Sequence, residues 1–421
     1  MAGTDGVRDV VVIGGGPAGM AAAARAAEMG LDVLLLDEGE RLGGILPQCI
    51  HPGFGVHYLG EELTGPEFSH RLASRVANSG AEVLLEAHVP EVRWISHAEK
   101  GVRVLSPSFS GEVRARTVVY AAGARERHRF EIGVLGDRVA GVYTAGEAQT
   151  MMDLYGVLPG RRVLVVGSGD VGMIVARRFA LEGAEVVGVV EIMPHPGGLT
   201  RNVVQCLEDF GIPLLLSHRV VAVRGRGRVE RAVLVRVDEG LRDVPGTETE
   251  VECDTVIVSA GLVPRVEVLR ELGALIDPAT GGPVVNDRLE TTIPGVFAAG
   301  NALVINDLVD HAAEQGELAA EGAAEFLERG GIPATDWVRL RPGEGVRLAV
   351  PQLLSGERDS WIYLRVARPV RNATLSLGGA GRELRLPVAR PAEMVRVRLW
   401  AEEIAQARAG GGEIVAEVRA G

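Results

Sequence analysis

Residues 10–19 read VVVIGGGPAG, an apolar run that ends in Gly14-x-Gly16-x-x-Gly19. Glycines at this spacing, between a buried strand and a helix, suit one task. The first makes a tight turn, the second lets backbone come close to a pyrophosphate, and the third lets helix and strand pack closely. The alanine-rich AAAARAAEM that follows reads as the helix, and VLLLD, ending at Asp37, as the next strand. A carboxylate at that strand end can accept from a ribose hydroxyl. The same order recurs in RVLVVGSGDVG, which carries Gly167-x-Gly169-x-x-Gly172, then the helix MIVARRFALEG and the strand AEVVGVVE ending in Glu191. Two dinucleotide sites are expected. Glu191 favours NAD over NADP, since a carboxylate bonds a free ribose hydroxyl and repels a phosphate ester; Arg201 is the nearby cation that could still reach such a phosphate.

The elements that must position these loops can be read around them. Each unit is followed by an apolar strand ending in a corner of small residues, TVVYAAG at 117–123 and TVIVSAG at 255–261, where backbone can run close to a cofactor. GPEFSHRLASRVANSG reads as a helix with Pro66 in its first turn and Gly80 at its end. A late strand, TTIPGVFAAGNA at 291–302, precedes NDLVDHAAEQGELAAEGAAEFLERGG, a helix of small residues ending at Gly330. The locally basic RVVAVRGRGRVERAVLVRV alternates apolar and charged residues, as a solvated hairpin does. From about 336, VRLAVPQLL, SWIYLRVARPV, ATLSLGG, ELRLPVA and EIVAEVR predict a small β domain, with AEEIAQARAG a short helix between the last two of these strands.

Bulk properties narrow the classes. With 421 residues and 47% hydrophobic content the chain should form two or three domains. A formal charge of -12 opposes nucleic acid and anionic membrane as partners. The longest uncharged run, Val10 to Ala24, is interrupted by Gly14, Gly15, Gly16 and Pro17, so it reads as the first strand and helix of a cytoplasmic protein and not as a signal peptide. No run approaches the roughly 20 apolar residues of a membrane span. Cys49, Cys206 and Cys253 form no C-x-x-C and are too few for an all-cysteine iron-sulfur cluster. Lys100 is the only lysine, so Schiff-base chemistry and lysine tuning of a cofactor require that this one residue reach the site.

Two such units in this order resemble the two-dinucleotide-binding flavoproteins of the pyridine-nucleotide-disulfide oxidoreductase superfamily over residues 8 to about 330. The resemblance implies an α/β fold with two Rossmann-like, glutathione-reductase-like three-layer domains and, here, the small C-terminal β domain. Residues 1–125 and 289–335 would form the FAD domain, 126–288 the NAD domain, and 336–421 the β domain. It assigns FAD to Gly14, Gly16, Pro17, Ala18, Gly19, Asp37, Glu38, Arg41, Gly43, Gly44, Ile45, Gln48, Cys49, Val89, Ala121, Ala122, Gly123, Gly300, Asn301, Leu308 and Val309. NAD falls to Gly167, Ser168, Gly169, Asp170, Val171, Gly172, Glu191, Ala260 and Gly261. Asn301 stands where the superfamily usually has Asp; its amide oxygen can accept from a ribityl hydroxyl and its amino group adds a donor near phosphate. The helix after it would aim its N-terminal dipole at the flavin and stabilise negative charge there.

The superfamily's redox cysteines would fall at Leu46 and His51, so both are absent and electrons must leave the flavin by another path. Cys49 lies between these positions, either against the flavin or as a small packing group. His51 and His57 bracket the loop HPGFGVH and are candidate proton or hydrogen-bond donors, or structural residues. Asp307, Asp310 and His311 resemble a metal set only in composition, and helix-dipole roles are expected for the acids.

More narrowly, GGILPQCIHPGFGVHYLGEELTGPEF, ARERHRF and AGNALVINDLVDHAAEQ look like the branch of hydrogen cyanide synthase, opine oxidase and dye-linked proline dehydrogenase flavoprotein subunits, together with glycerol-3-phosphate-dehydrogenase-associated oxidoreductases. That likeness implies a dehydrogenase partner subunit, a separate small cysteine-rich iron-sulfur protein and a possible oligomer, with any membrane association through a partner. The β domain would dock a partner or simply shield the core. Two other readings stand beside it: an independent NADH-dependent reductase of a quinone, dye or small redox protein, and a flavin-binding redox sensor or scaffold.

Overall fold

The computed structural model describes residues 6–332 and 336–420. The first residues of the expected cytoplasmic N-terminus, the expected domain end at 335 and the terminal Gly421 lie outside the described residues. The chain divides into two compact units, one holding residues up to Ala124 and from Pro264 onward, the other Arg125–Val263.

In the first unit, strand Val7–Ile13 sits in the middle of a seven-stranded sheet. It pairs in parallel with Val33–Leu36 on one side and with the long strand Ser110–Tyr120 on the other. Val296–Ala298 adds in parallel to the end of that long strand, at Val118–Tyr120. Val10, Val11, Val12, Leu35, Val118, Val119 and Phe297 are all buried, as parallel strands covered on both faces require. Helix Pro17–Glu28 follows the first strand, and its alanines both favour the helix and keep it thin. That thinness is used. Helix Val309–Arg329 crosses so closely that a Cβ at Gly316 would lie 2.0 Å from the Ala18 carbonyl oxygen. The helix expected with Pro66 in its first turn and Gly80 at its end is Gly65–Ser79, opened by a capping box of Thr64 and Glu67 and closed by Gly80 at φ 89°.

The second unit repeats the plan with a parallel sheet in the order Val142–Thr144, Thr255–Val258, Arg162–Val166, Glu185–Val190, Leu214–Leu215. Helix Asp170–Leu181 follows the Arg162–Val166 strand. The basic stretch forms the expected hairpin, His218–Arg226 against Arg228–Arg236.

The limits of the two compact units differ from the expected domain limits in two places. The return to the first unit comes at Pro264, ahead of the expected 289, because Leu269, Ala274 and Val285 join the first unit's core. Gln352 also donates to Asp277 (2.8 Å) and accepts from Val285 N (3.0 Å), tying this segment to the C-terminal strands. Those strands, in a five-stranded and a three-stranded sheet, enclose a core of their own that includes Leu340, Ile362, Leu375, Leu399 and Ile414. They do not stand apart as a separate unit: Leu348 and Val350 pack into the core of the first. Strands Val338–Pro342 and Val395–Leu399 were not expected from sequence.

Candidate functional site

The first glycine loop is built by steric exclusion. Gly14 has φ +104°, and a Cβ there would lie 2.4 Å from Ala121 O, so the loop closes on the small-residue corner. A Cβ at Gly19 would lie 1.7 Å from Gly14 O, which presses the helix start against the turn. Gly16 differs: a Cβ there would meet nothing within 4 Å, leaving open space at the N-terminus of helix Pro17–Glu28. Gly43 N donates to Gly15 O at 2.9 Å, and a Cβ at Gly44 would come within 3.1 Å of Gly16 Cα, so the Gly43-Gly44 pair borders that opening. Arg41, Gly44 and Ile45 are exposed, and Gln48 and Cys49 half-buried. Val89 and Ala121 are buried, and Ala122 and Gly123 half-buried.

The second loop has the same anatomy. Gly167, also at φ +104°, would place a Cβ 2.1 Å from Ser259 O, in the corner that continues to Ala260 and Gly261. A Cβ at Gly172 would lie 2.3 Å from Gly167 O, while one at Gly169 would meet nothing within 4 Å. Asp170 opens the helix and Val171 is exposed beside it.

The two acids take a role the sequence did not disclose. Asp37 accepts from Gly15 N (2.5 Å) and from Gly39 N (2.8 Å). Glu191 accepts from Ser168 N (2.9 Å), Ser168 Oγ (2.6 Å) and Met193 N (2.9 Å). Each carboxylate thus pins the middle residue of its own glycine loop, and any bond to a ribose would use lone pairs left over. Glu38, next along from Asp37, is more open and pairs with Arg265 at 2.7 Å. Arg201 is exposed.

Sequence reasoning missed a further repeat. Gly197-Gly198 follows Glu191 at the spacing at which Gly43-Gly44 follows Asp37. Gly197 N donates to Ser168 Oγ at 2.8 Å, and Asp170 Oδ1 accepts from Leu199 N (2.8 Å) and Asn202 Nδ2 (2.6 Å). The signal was present in the sequence as a second acid-to-glycine-pair spacing.

Near the late strand, Gly300, at φ +65°, donates to Gln315 Oε1 (3.0 Å), and Asn301 uses its amide oxygen to accept from Asn306 N (2.9 Å). The ribityl bond expected of that oxygen therefore competes with an internal one, while the amino group keeps its donor role. Leu308 and Val309 lead into helix Val309–Arg329 half-buried. The acids here do more than complement a dipole. Asp310, buried, accepts from Gly55 N (3.3 Å), His57 N (2.9 Å) and Tyr58 N (2.8 Å), anchoring the HPGFGVH loop to the helix start. Asp307 accepts from Arg365 and Met394. His311 packs edge-on to Tyr363 with ring centroids 5.7 Å apart, and burial, aided by Arg396, holds its imidazole below the usual range. No metal-holding group of His, Cys, Asp and Glu occurs among the described residues.

Leu46 is 1% exposed, in the core, and the His51 ring packs tilted against Phe54, centroids 5.1 Å apart, while its Nδ1 meets Pro52 O at 3.0 Å. The Cys49 thiol donates to Ile45 O at 3.5 Å, a turn-closing contact that suits the packing role. Cys206 and Cys253 are buried in the other unit, where burial raises both thiols, Cys253 to about 11. Lys100 is fully buried: its Nζ donates to His97 O (2.9 Å) and Arg116 O (3.1 Å) between the rings of Trp94 and Phe326, and burial lowers it to about 8. None of these partners belongs to a glycine loop, so lysine tuning of a cofactor is excluded.

Residues 8–316 match the pyridine nucleotide-disulphide oxidoreductase family. The chain belongs to that family. A dihydrolipoyl dehydrogenase of Pseudomonas aeruginosa is 30% identical over 347 residues, 74% of this chain and 70% of that one. A thioredoxin reductase of Bacillus subtilis is 28% identical over 332 residues, 76% of this chain and 95% of that one. Among solved structures, the T. acidophilum thioredoxin reductase superposes with a TM-score of 0.64 at 26% identity, covering 76% of this chain and 99% of that one. The fold of P. horikoshii L-proline dehydrogenase is also similar, with a TM-score of 0.53 at 23% identity over 78% of this chain and 57% of that one. The family binds FAD and uses NAD(P)H, and this chain is an FAD-dependent oxidoreductase with cradles open at Gly16 and Gly169. No helix among the described residues is long and apolar enough to cross a membrane.

Proposed function

We propose that the chain exchanges reducing equivalents between NADH and FAD without a thiol relay, and that it is the flavoprotein subunit of a multisubunit dehydrogenase acting on a small substrate such as glycerol 3-phosphate. When bound, the flavin supplies the hydride-accepting chemistry. The protein's part is binding and electrostatics. Asp37 holds the loop that leaves Gly16 open to a pyrophosphate, and the backbone N–H groups at the start of helix Pro17–Glu28 face that opening. Glu191 does the same for the nicotinamide nucleotide at Gly169, and its negative charge supports NAD over NADP. Asp310 draws the HPGFGVH loop onto helix Val309–Arg329, covering backbone that would otherwise stay open to water.

The observation that carries the thiol-free reading is the pair of side chains at the superfamily's cysteine positions: Leu46 is sealed in the core and His51 packed against Phe54. The subunit reading is supported by the branch motifs and by the fold shared with an L-proline dehydrogenase. Its electron partners would be a dehydrogenase subunit and a small cysteine-rich iron-sulfur protein, and a cytoplasmic location would follow unless a partner holds it at a membrane. Isolation of the native assembly tests it: co-purifying subunits, and flavin bleaching by an organic substrate in the assembly but not in the isolated chain, are expected. A chain that purifies alone and turns over NADH rapidly with dyes or quinones would support the independent reductase instead.

A further inference from the structure

The family match ends at residue 316, so the C-terminal sheets lie beyond it. Besides the Gln352 contacts to Asp277 and Val285, they meet the rest of the first unit along two further polar seams. One is structural: Asp287 accepts from Ser355 N, Ser355 Oγ and Ser360 Oγ, while Arg288 bridges Glu325 and Glu357. The other falls on the segment that feeds the flavin-binding helix. Arg365, on strand Ser360–Val366, is 8% exposed and donates to Ile305 O (3.0 Å) and Asp307 Oδ1 (2.7 Å), and also to Pro391 O. Met394 N donates to the other oxygen of Asp307 at 2.7 Å. On the same side, Arg396 pairs with Glu314 at 2.8 Å, and Tyr363 meets His311.

Segment 304–308 runs in no regular element, between the turn at Gly300 and Asn301 and the helix starting at Val309. Such a connection adopts one course only if something fixes it. Here a single guanidinium joins two backbone carbonyls and a carboxylate, five donors in a rigid fork, which a lysine could not reproduce. Leu308 and Val309, and the helix N-terminal N–H groups, directly follow the segment that this guanidinium holds together with the Asn301–Asn306 bond.

We propose that Arg365 is a positioning residue of the flavin site, and that the C-terminal β domain is required for FAD retention because Arg365 sets the 305–308 segment. This rests on the first glycine loop binding FAD. The test is FAD titration of deflavinated protein, followed by flavin absorption and fluorescence, with amide exchange over 303–308 as a second readout. Arg365→Met should weaken FAD binding about tenfold or more, the equivalent of one lost charge-assisted hydrogen bond, and should speed exchange in that segment. Arg365→Lys should fall between. Arg382→Met, which removes contacts to Glu403 and Arg398 O inside the C-terminal domain, should bind FAD as the wild type does. Wild-type affinity in Arg365→Met, or an equal loss in Arg382→Met, overturns the proposal. If Arg365→Met does not fold, Asp307→Ala decides in the same direction, with unchanged affinity refuting it. A wild-type chain that takes up no FAD would instead remove the underlying assignment, so the two failures are distinguishable.

Discussion

Gly16→Ala and Gly19→Ala change the same atom count in the same loop and should both weaken flavin binding, but only the second should lower stability. A methyl at Gly19 would overlap the Gly14 carbonyl at 1.7 Å, and both atoms belong to the backbone of a tight turn, so the loop itself must open. Overpacking of this kind costs about 1–3 kcal/mol or more, and the variant should lose both thermal stability and flavin. A methyl at Gly16 meets nothing within 4 Å, so the apoprotein should fold and melt as the wild type does. It would nevertheless occupy the space a phosphate needs to reach the helix N-terminus. Losing one backbone N–H bond to a charged phosphate oxygen costs about 1.5–3 kcal/mol, or about 10- to 150-fold in Kd. Flavin titration of each apoprotein, alongside thermal melts, reads both effects. A Gly16→Ala protein that binds FAD with wild-type affinity would refute the placement of the pyrophosphate, and a Gly19→Ala protein that melts like the wild type would refute the packing argument.

Arg288→Met should destabilise the chain by about 3–5 kcal/mol, because it strips the cation from Asp287, Glu325 and Glu357 where Arg288 and Asp287 are 4% and 0% exposed; urea unfolding checks this, and a loss below about 1 kcal/mol would contradict it. Lys100 titrates near 8 in the folded chain and at 10.5 ordinarily, so between those values the unfolded chain binds more protons and folding stability rises with pH. Lys100→Met should remove that rise; equal pH slopes in the two proteins would show that the amine is not held down by burial.

Much of the fold is written locally. Pro66 falls in the first turn of a helix that Gly80 closes, Gly330 ends the helix that starts at Val309, and the two glycine loops sit between the strands and helices that their spacing demands. What stayed hidden depends on partners distant in the chain. Asp37 and Glu191 look like ribose acceptors in isolation, and only folding shows them pinning Gly15 and Ser168. Asp307 and Asp310 look like helix-start acids, yet one binds Arg365 and the other the 55–58 turn. The return at Pro264 was obscured because the stretch to 288 has only the short helix Glu267–Glu271 and isolated bridges, too little periodicity to declare which core it joins. The buried lysine gave no local sign at all, since its acceptors are carbonyls of His97 and Arg116.

The central claim is that NADH reduces the flavin directly, with no thiol in the path. Anaerobic addition of NADH to FAD-loaded Cys49→Ser protein, followed at the flavin absorption band, tests it most directly. The band should bleach at the wild-type rate with one NADH per flavin, equivalent to two electrons. A flavin that stays oxidised in the wild type, or that bleaches only when Cys49 is present, would contradict it.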